Sequence, residues 1–247
     1  DFCLSRGLGD VYKRQALMGS DANWERFATL LKMAILACND VCPDAKIILH
    51  TERVQQPDVL ENFYNQMAKY NVPYEIIGLS YYPYFHGNLS VLDKALKTLT
   101  QKFSDKNIMI VETGYSYKWE VPGTTVNNTS TWPYTEAGQA KFVRDLVAEL
   151  DKYSQVDGLF WWWMEYNAFG TSLSGWYNAP LFDSTTGKAT EALKELCSFG
   201  TSAVEEIEAD NGAATDRWYN LQGIRVDQPR TSGIYIRNGR KTYVRVQ

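Results

Sequence analysis

A chain of 247 residues, 45% of them apolar, can build one large domain or two small ones with a real core, which excludes a disordered or fibrous protein. No apolar run reaches membrane-spanning length, and the net charge of −4 is unevenly spread: from Arg217 onward six Arg and one Lys stand against Asp227 alone. Those basic residues alternate with apolar ones, the pattern of a solvated strand face rather than a nucleic-acid patch.

Aromatic residues make up 14%, with eight Trp and sixteen Tyr. That is enough to furnish either an aromatic-rich core or a surface on which flat rings stack, and counting alone leaves both open. Cys3, Cys38, Cys42 and Cys197 show neither paired CxxC spacing nor disulfide-scaffold density, so buried free thiols are expected. With His50 and His86 the only histidines, a His-rich metal site is not expected.

The opening stretch, DFCLSRGLGDVYKRQ, has no helical or strand period and no signal-peptide order. Residues 1–15 are therefore read as a non-native leader and set aside. From Asp21 the pattern is helical, with Trp24, Phe27, Ala28, Leu31, Ala34, Ile35 and Cys38 at three- and four-residue steps, Asp21 and Asn23 as candidate caps, and Pro43 as the stop. Lys46 to Glu52 then reads as a short buried strand. A helix comes next, with Pro57 in its first turn and Leu60, Phe63, Tyr64 and Met67 on one face.

Tyr74 to Pro83 is a strand stopped by proline, its exit crowded with Ser80, Tyr81, Tyr82, Tyr84, Phe85 and His86. Leu89, Leu92, Leu96, Leu99 and Phe103 mark the next amphipathic helix, which leads into Asn107 to Tyr115. There, four apolar residues end in Glu112, the form of a strand buried on both faces with a carboxylate where it leaves the core. The loop through Trp119, Asn127, Trp132 and Pro133 is too long and too aromatic for a plain connection. A helix from Gly138 to Tyr153, a strand Val156 to Trp163 and a last helix from Lys188 to Cys197 complete this region.

Strand and helix thus alternate, which implies parallel strands whose C-terminal ends collect the polar and aromatic residues. Four such units make half of an eight-stranded barrel, so an α/β fold is expected: the C-terminal half of a (β/α)8 TIM barrel, strands 5–8, over residues 16–200. A doubly wound open sheet also fits the order, but no Gly-rich phosphate loop opens any helix. Residues 201–216 read as a linker, and 217–247 as a small all-β tail with Asn238-Gly239 as a hairpin turn.

Three carboxylates, Glu52, Glu112 and Glu165, lie at or just beyond strand ends. Retaining glycoside hydrolysis needs two carboxyl groups about 5.5 Å apart, one to attack the anomeric carbon and one to protonate the leaving oxygen. Each also has an ordinary reading, as a strand-end charge or a substrate-binding group.

The segment Gly78-Leu-Ser-Tyr-Tyr-Pro-Tyr-Phe-His-Gly-Asn-Leu89 resembles the sixth-strand motif of glycoside hydrolase family 53, the arabinogalactan endo-β-1,4-galactanases. Ile110-Val-Glu-Thr-Gly-Tyr115 is similar to that family's seventh-strand motif. Gly158-Leu-Phe-Trp-Trp162 is similar to its eighth-strand motif, and Trp176 to Asp183 to the segment after that strand. The resemblance implies Glu112 as nucleophile, Tyr82 bonded to it and Trp162 as the floor under the sugar. His50, Ser80, His86 and Tyr115 match rim positions as substrate contacts or supports behind them.

Two departures stand out. The family's acid/base Glu comes directly after an Asn, and this sequence contains no Asn-Glu pair; the proton donor and the first four strands are expected upstream, leaving the chain inactive alone. Trp162-Trp163-Met164-Glu165 replaces a Trp-Glu pair, which leaves the role of Glu165 open. The resemblance further implies a polysaccharide substrate, no cofactor beyond room for a structural calcium ion, and a monomer when full length. The tail from Arg217 resembles C-terminal modules of secreted Bacteroidetes-type proteins, so an exported, sorted or surface-attached enzyme is expected. Another retaining β-glycanase, or a non-catalytic glycan-binding protein, remains an alternative.

Overall fold

The computed structural model describes residues 20–118, 120–164, 179–183, 185–200, 218–219, 225–229, 233–237 and 240–245. The leader, the linker, Glu165 and the Asn238-Gly239 turn lie outside the described residues. The chain divides into two compact units, Asp1–Ser202 and Ala203–Gln247.

In the first unit the elements are α1 (Asp21–Val41), β1 (Ile48–Thr51), α2 (Pro57–Lys69), β2 (Ile76–Tyr81), α3 (Pro83–His86), α4 (Leu89–Lys102), β3 (Asn107–Thr113), α5 (Glu136–Leu150), β4 (Val156–Trp161) and α6 (Glu191–Leu196). The four strands pair in chain order, all parallel. This is a βα-repeat sheet of the barrel type, as the alternation of strand and helix predicts. The helices begin at recognisable signals: Pro57 enters the first turn of α2, Asn88 caps α4 by accepting from the Ser90 N–H, and Thr135 caps α5 by accepting from the Gly138 N–H. Ser20 occupies the cap position of α1, and Asp21 stands in its first turn, where the helix dipole favours a negative charge.

The core lies between the helices and one face of the sheet. Leu49 of β1, Ile77 and Leu79 of β2, and Ile108 and Ile110 of β3 meet Leu60, Phe63 and Met67 of α2, Leu92, Leu96 and Leu99 of α4, and Phe142, Val143 and Leu146 of α5. Each such side chain contributes roughly 1.5–3 kcal/mol on burial. The opposite sheet face carries His50, Gly78, Ser80 and Met109, and Ile48 and Phe160 are exposed.

The cysteine expectation is corrected: Cys38, Cys42 and Cys197 are free but exposed. Leu31 and Ile35 are the last buried residues of α1, so its final turn runs past the core. The single turn α3, between β2 and α4, was not visible in the hydrophobic pattern because four residues cannot show a period.

The second unit is a four-stranded antiparallel sheet of order β6-β5-β7-β8, comprising β5 (Trp218–Tyr219), β6 (Arg225–Val226), β7 (Gly233–Arg237) and β8 (Arg240–Val244). The Arg237 guanidinium lies 4.8 Å from the Trp218 ring centre, and Tyr235 meets that ring edge-on at 6.3 Å.

Candidate active site

The site forms at the C-terminal end of β3. Along β2 the register runs Gly78 opposite Met109 and Leu79 opposite Ile110, then jumps so that Ser80 stands opposite Glu112. Against β4 the same stretch is again one residue long, with Ile110 opposite Leu159 and Thr113 opposite Trp161. Both neighbours therefore see a bulge at Val111–Glu112. Side chains alternate along a strand, so a regular β3 would send Glu112 to the helix side with Ile108 and Ile110. The extra residue moves it to the face that carries His50 and Ser80.

Hydrogen bonds lock that placement. The Tyr82 hydroxyl donates to Glu112 Oε2 at 3.3 Å, Ser80 stands opposite Glu112 in the strand register, and His50 Nε2 lies 2.7 Å from Ser80 Oγ. Thr113 Oγ1 donates to the Tyr81 carbonyl at 2.7 Å, tying the bulged end of β3 to β2. Glu112 is buried, and this desolvation pushes its carboxyl above the ordinary range, while Tyr82 and Ser80 pull it down and the charge of Glu52 raises it again. Burial, then the neighbouring Glu112 charge, pushes the Tyr82 phenol far up, so Tyr82 stays protonated and donates.

Glu52 sits just past β1, 3.1 Å from Arg53. His86 is buried, its Nδ1 accepting the Tyr82 backbone N–H at 3.0 Å. Burial and then the Arg53 charge hold its pKa down at about 4, so the ring is neutral. Tyr115 is 1% exposed: its hydroxyl donates to the Trp132 carbonyl at 2.6 Å, and its ring stacks on Tyr84 at 5.1 Å. Tyr115 thus braces the long loop, and Asn128 pins the same loop to the Pro83 carbonyl.

Trp162 donates its backbone N–H to Thr113 and stacks on Trp163 at 5.3 Å with 16° between the rings. The two indoles, with Tyr82, Tyr84, Gly114, Val121 and Ala179, line a pocket beside the β3 exit. Trp162 Nε1 is buried with no acceptor among the described residues, leaving a donor that a ligand oxygen could take up. Trp163 has a φ of 55°, a left-handed backbone in the turn just after β4. Sequence patterning did not single out Trp163 or Val121, since neither strained backbone nor loop return has a periodic signature.

The structure brings Tyr82 onto Glu112 and His50 onto Ser80, with Ser80 opposite Glu112 in the register, His86 bonded behind Tyr82 and Tyr115 stacked on Tyr84. No cluster of three or more His, Cys, Asp or Glu gathers among the described residues.

A parallel strand–helix unit with a desolvated carboxylate and an indole pair at its strand ends is the frame of a barrel-type glycosidase. The sequence model of Glycosyl hydrolase family 53 matches residues 10–196, and the chain belongs to that family. It is 30% identical over 182 residues to the Arabinogalactan endo-beta-1,4-galactanase of Cellvibrio japonicus, covering 66% of this chain and 46% of that protein. A protein of the bgaB 5' region in Niallia circulans is 34% identical over 135 residues, 52% of this chain and 37% of its own length. The Ignisphaera aggregans GH53 catalytic domain superposes with a TM-score of 0.60 at 33% identity, over 72% of this chain and 53% of that one. The chain thus spans about half, or less, of the length of these proteins.

Proposed function

We propose that the first unit carries the nucleophile half of a retaining endo-acting β-1,4-galactan hydrolase, acting on pectic or arabinogalactan side chains. The observation that carries this reading is the β3 bulge, which sets Glu112 against the hydroxyl of Tyr82, and Tyr82 in turn lines the pocket shared with Trp162. Glu112 attacks the anomeric carbon and forms a glycosyl ester, and water then releases the sugar. Tyr82 steadies the attacking oxygen, and Trp162 offers a flat floor and an N–H donor to the sugar. His50 and Ser80 stand behind the carboxylate; His86 orients the Tyr82 backbone; Tyr115 supports the loop over the pocket. The reaction needs no cofactor.

In this reading the proton donor is the family's Glu after Asn, a pair this sequence does not contain, so the chain alone is not expected to cleave unactivated galactan. The nucleophile is tested without a proton donor. A 2-fluoro-galactobioside with a dinitrophenolate leaving group needs no protonation; Glu112 displaces the dinitrophenolate, and peptide mass spectrometry should find one fluoro-galactobiosyl group on Glu112. Labelling elsewhere, or none on Glu112, overturns the assignment. Among the described residues no helix is long and apolar enough to cross a membrane. An exported bacterial enzyme with the β tail as a sorting or attachment element rests on the tail's resemblance to secreted modules, and a monomer when full length rests on the family resemblance.

A further inference from the structure

The pocket lined by Tyr82, Tyr84 and the Trp162–Trp163 pair encloses a cavity of about 20 Å3, room for one water-sized oxygen and little more. Two of its lining residues carry buried polar atoms with no hydrogen-bond partner among the described residues, Tyr84 Oη and Trp162 Nε1. Tyr84 is 3% exposed. Burial, then the Tyr115 and Tyr134 phenols, push its own phenol well above the ordinary range, and the Ser116 backbone offsets only part of this, so the hydroxyl keeps its proton. An indole nitrogen can only donate. Two buried donors thus border one small cavity, and native proteins seldom leave such donors unpaired.

The other polar groups at hand are taken. The Tyr82 hydroxyl donates to Glu112 at 3.3 Å, the Ala179 carbonyl accepts Trp161 Nε1 at 2.6 Å, and the Val121 carbonyl accepts the Thr124 hydroxyl. Among the described residues no charged side chain lines the cavity, so an ion would lose its hydration there without a counter-charge. A neutral oxygen with two lone pairs fits both the space and the donors.

We propose that this cavity is a binding site for one hydroxyl oxygen, which accepts from the Tyr84 hydroxyl and from the Trp162 indole N–H. The oxygen is that of a water molecule or, where Trp162 is the floor of the proposed galactan site, that of a sugar hydroxyl which displaces the water. Either one ties the floor to the long loop. Tyr84 stacks on Tyr115 with 6° between the rings, and its backbone carbonyl accepts the Thr125 and Val126 N–H groups, each at 2.9 Å.

The test is NMR of the full chain with nitrogen-15 tryptophan, the Trp162 indole signal being identified by its loss in Trp162→Phe. A direct Overhauser cross-peak between the indole proton and bound water is expected. Tyr84→Phe removes one atom and one donor, and the cross-peak should be lost while the remaining indole signals stay in place. Adding galactobiose separates the sources: loss of the cross-peak with a shift of the indole signal puts a sugar hydroxyl in the cavity, and an unchanged cross-peak leaves water there. A shift with galactobiose in a protein that shows no water cross-peak assigns the site to the sugar hydroxyl alone. An indole proton with neither a water cross-peak nor a response to galactobiose overturns the site, as does a cross-peak that survives unchanged in Tyr84→Phe. Fluorosugar labelling reads the catalytic proposal separately: a labelled Glu112 beside a silent indole removes only the oxygen site, and a water cross-peak without labelling removes only the nucleophile.

Discussion

The Tyr82 hydroxyl and Glu112 Oε2, 3.3 Å apart, join the exit of β2 to the bulged end of β3. Tyr82 is held there by its own backbone, whose N–H donates to His86. Tyr82→Phe removes one donor from the carboxylate and leaves the ring in place. The Glu112 midpoint should rise, and the rate of fluorosugar labelling at pH 5 should fall about tenfold, with a smaller loss at pH 8. A pH-independent loss would mean that Tyr82 acts on the sugar and not on the carboxylate.

Glu112 is a buried carboxylate whose folded-state pKa is raised, chiefly by desolvation. The folded chain therefore binds this proton more tightly than the unfolded chain, and the site costs stability as pH rises through the folded value. Glu112→Gln should raise the melting temperature by a few degrees at pH 8, and the gain should shrink toward pH 4. Calorimetry of both proteins across that range checks the sign.

His86 works in the opposite sense. Its folded pKa of about 4 lies below its ordinary 6.5, so the unfolded chain takes up the proton first. The stability tied to neutral His86 is complete above pH 6.5 and is lost as pH falls through 4, a change of up to about 3 kcal/mol. His86→Asn keeps an acceptor for the Tyr82 N–H and removes the titration. Urea midpoints between pH 4 and 7 should flatten in that variant relative to wild type.

At Gly138, in the first turn of α5, an added Cβ would fall 1.8 Å from the Pro133 carbonyl oxygen. That oxygen already accepts the Thr135 N–H at 2.7 Å, so backbone has to move. Gly138→Ala should cost roughly 2–3 kcal/mol in urea unfolding despite the better helix propensity of alanine. A stability equal to wild type would show that the loop before α5 yields freely.

Much of the fold was legible because each long element repeats its own period. Leu60, Phe63, Tyr64 and Met67 are buried on α2, and Leu92, Leu96 and Leu99 on α4, where their spacing puts them. The four strands lie within the stretches assigned to them, shorter at some ends. Cys38 shows the limit of the same reasoning: it keeps the helical spacing of Leu31 and Ile35 but lies beyond the core, and periodicity carries no information on where a core stops.

For the site, sequence alone determined the residue types and their order: a carboxylate ending an apolar strand, tyrosines and a histidine at the preceding strand's exit, tryptophans at the next. What only the tertiary structure decided is which way Glu112 faces. Alternation along Ile108, Ile110 and Glu112 points the carboxylate into the helix-side core, and the sequence offers no mark of the residue inserted at Val111. The inserted residue shows only in the register against β2 and β4, because a bulge is a relation between strands. That one slip carries Glu112 across the sheet to Ser80, Tyr82 and His50, and turns a strand-end charge into a candidate nucleophile.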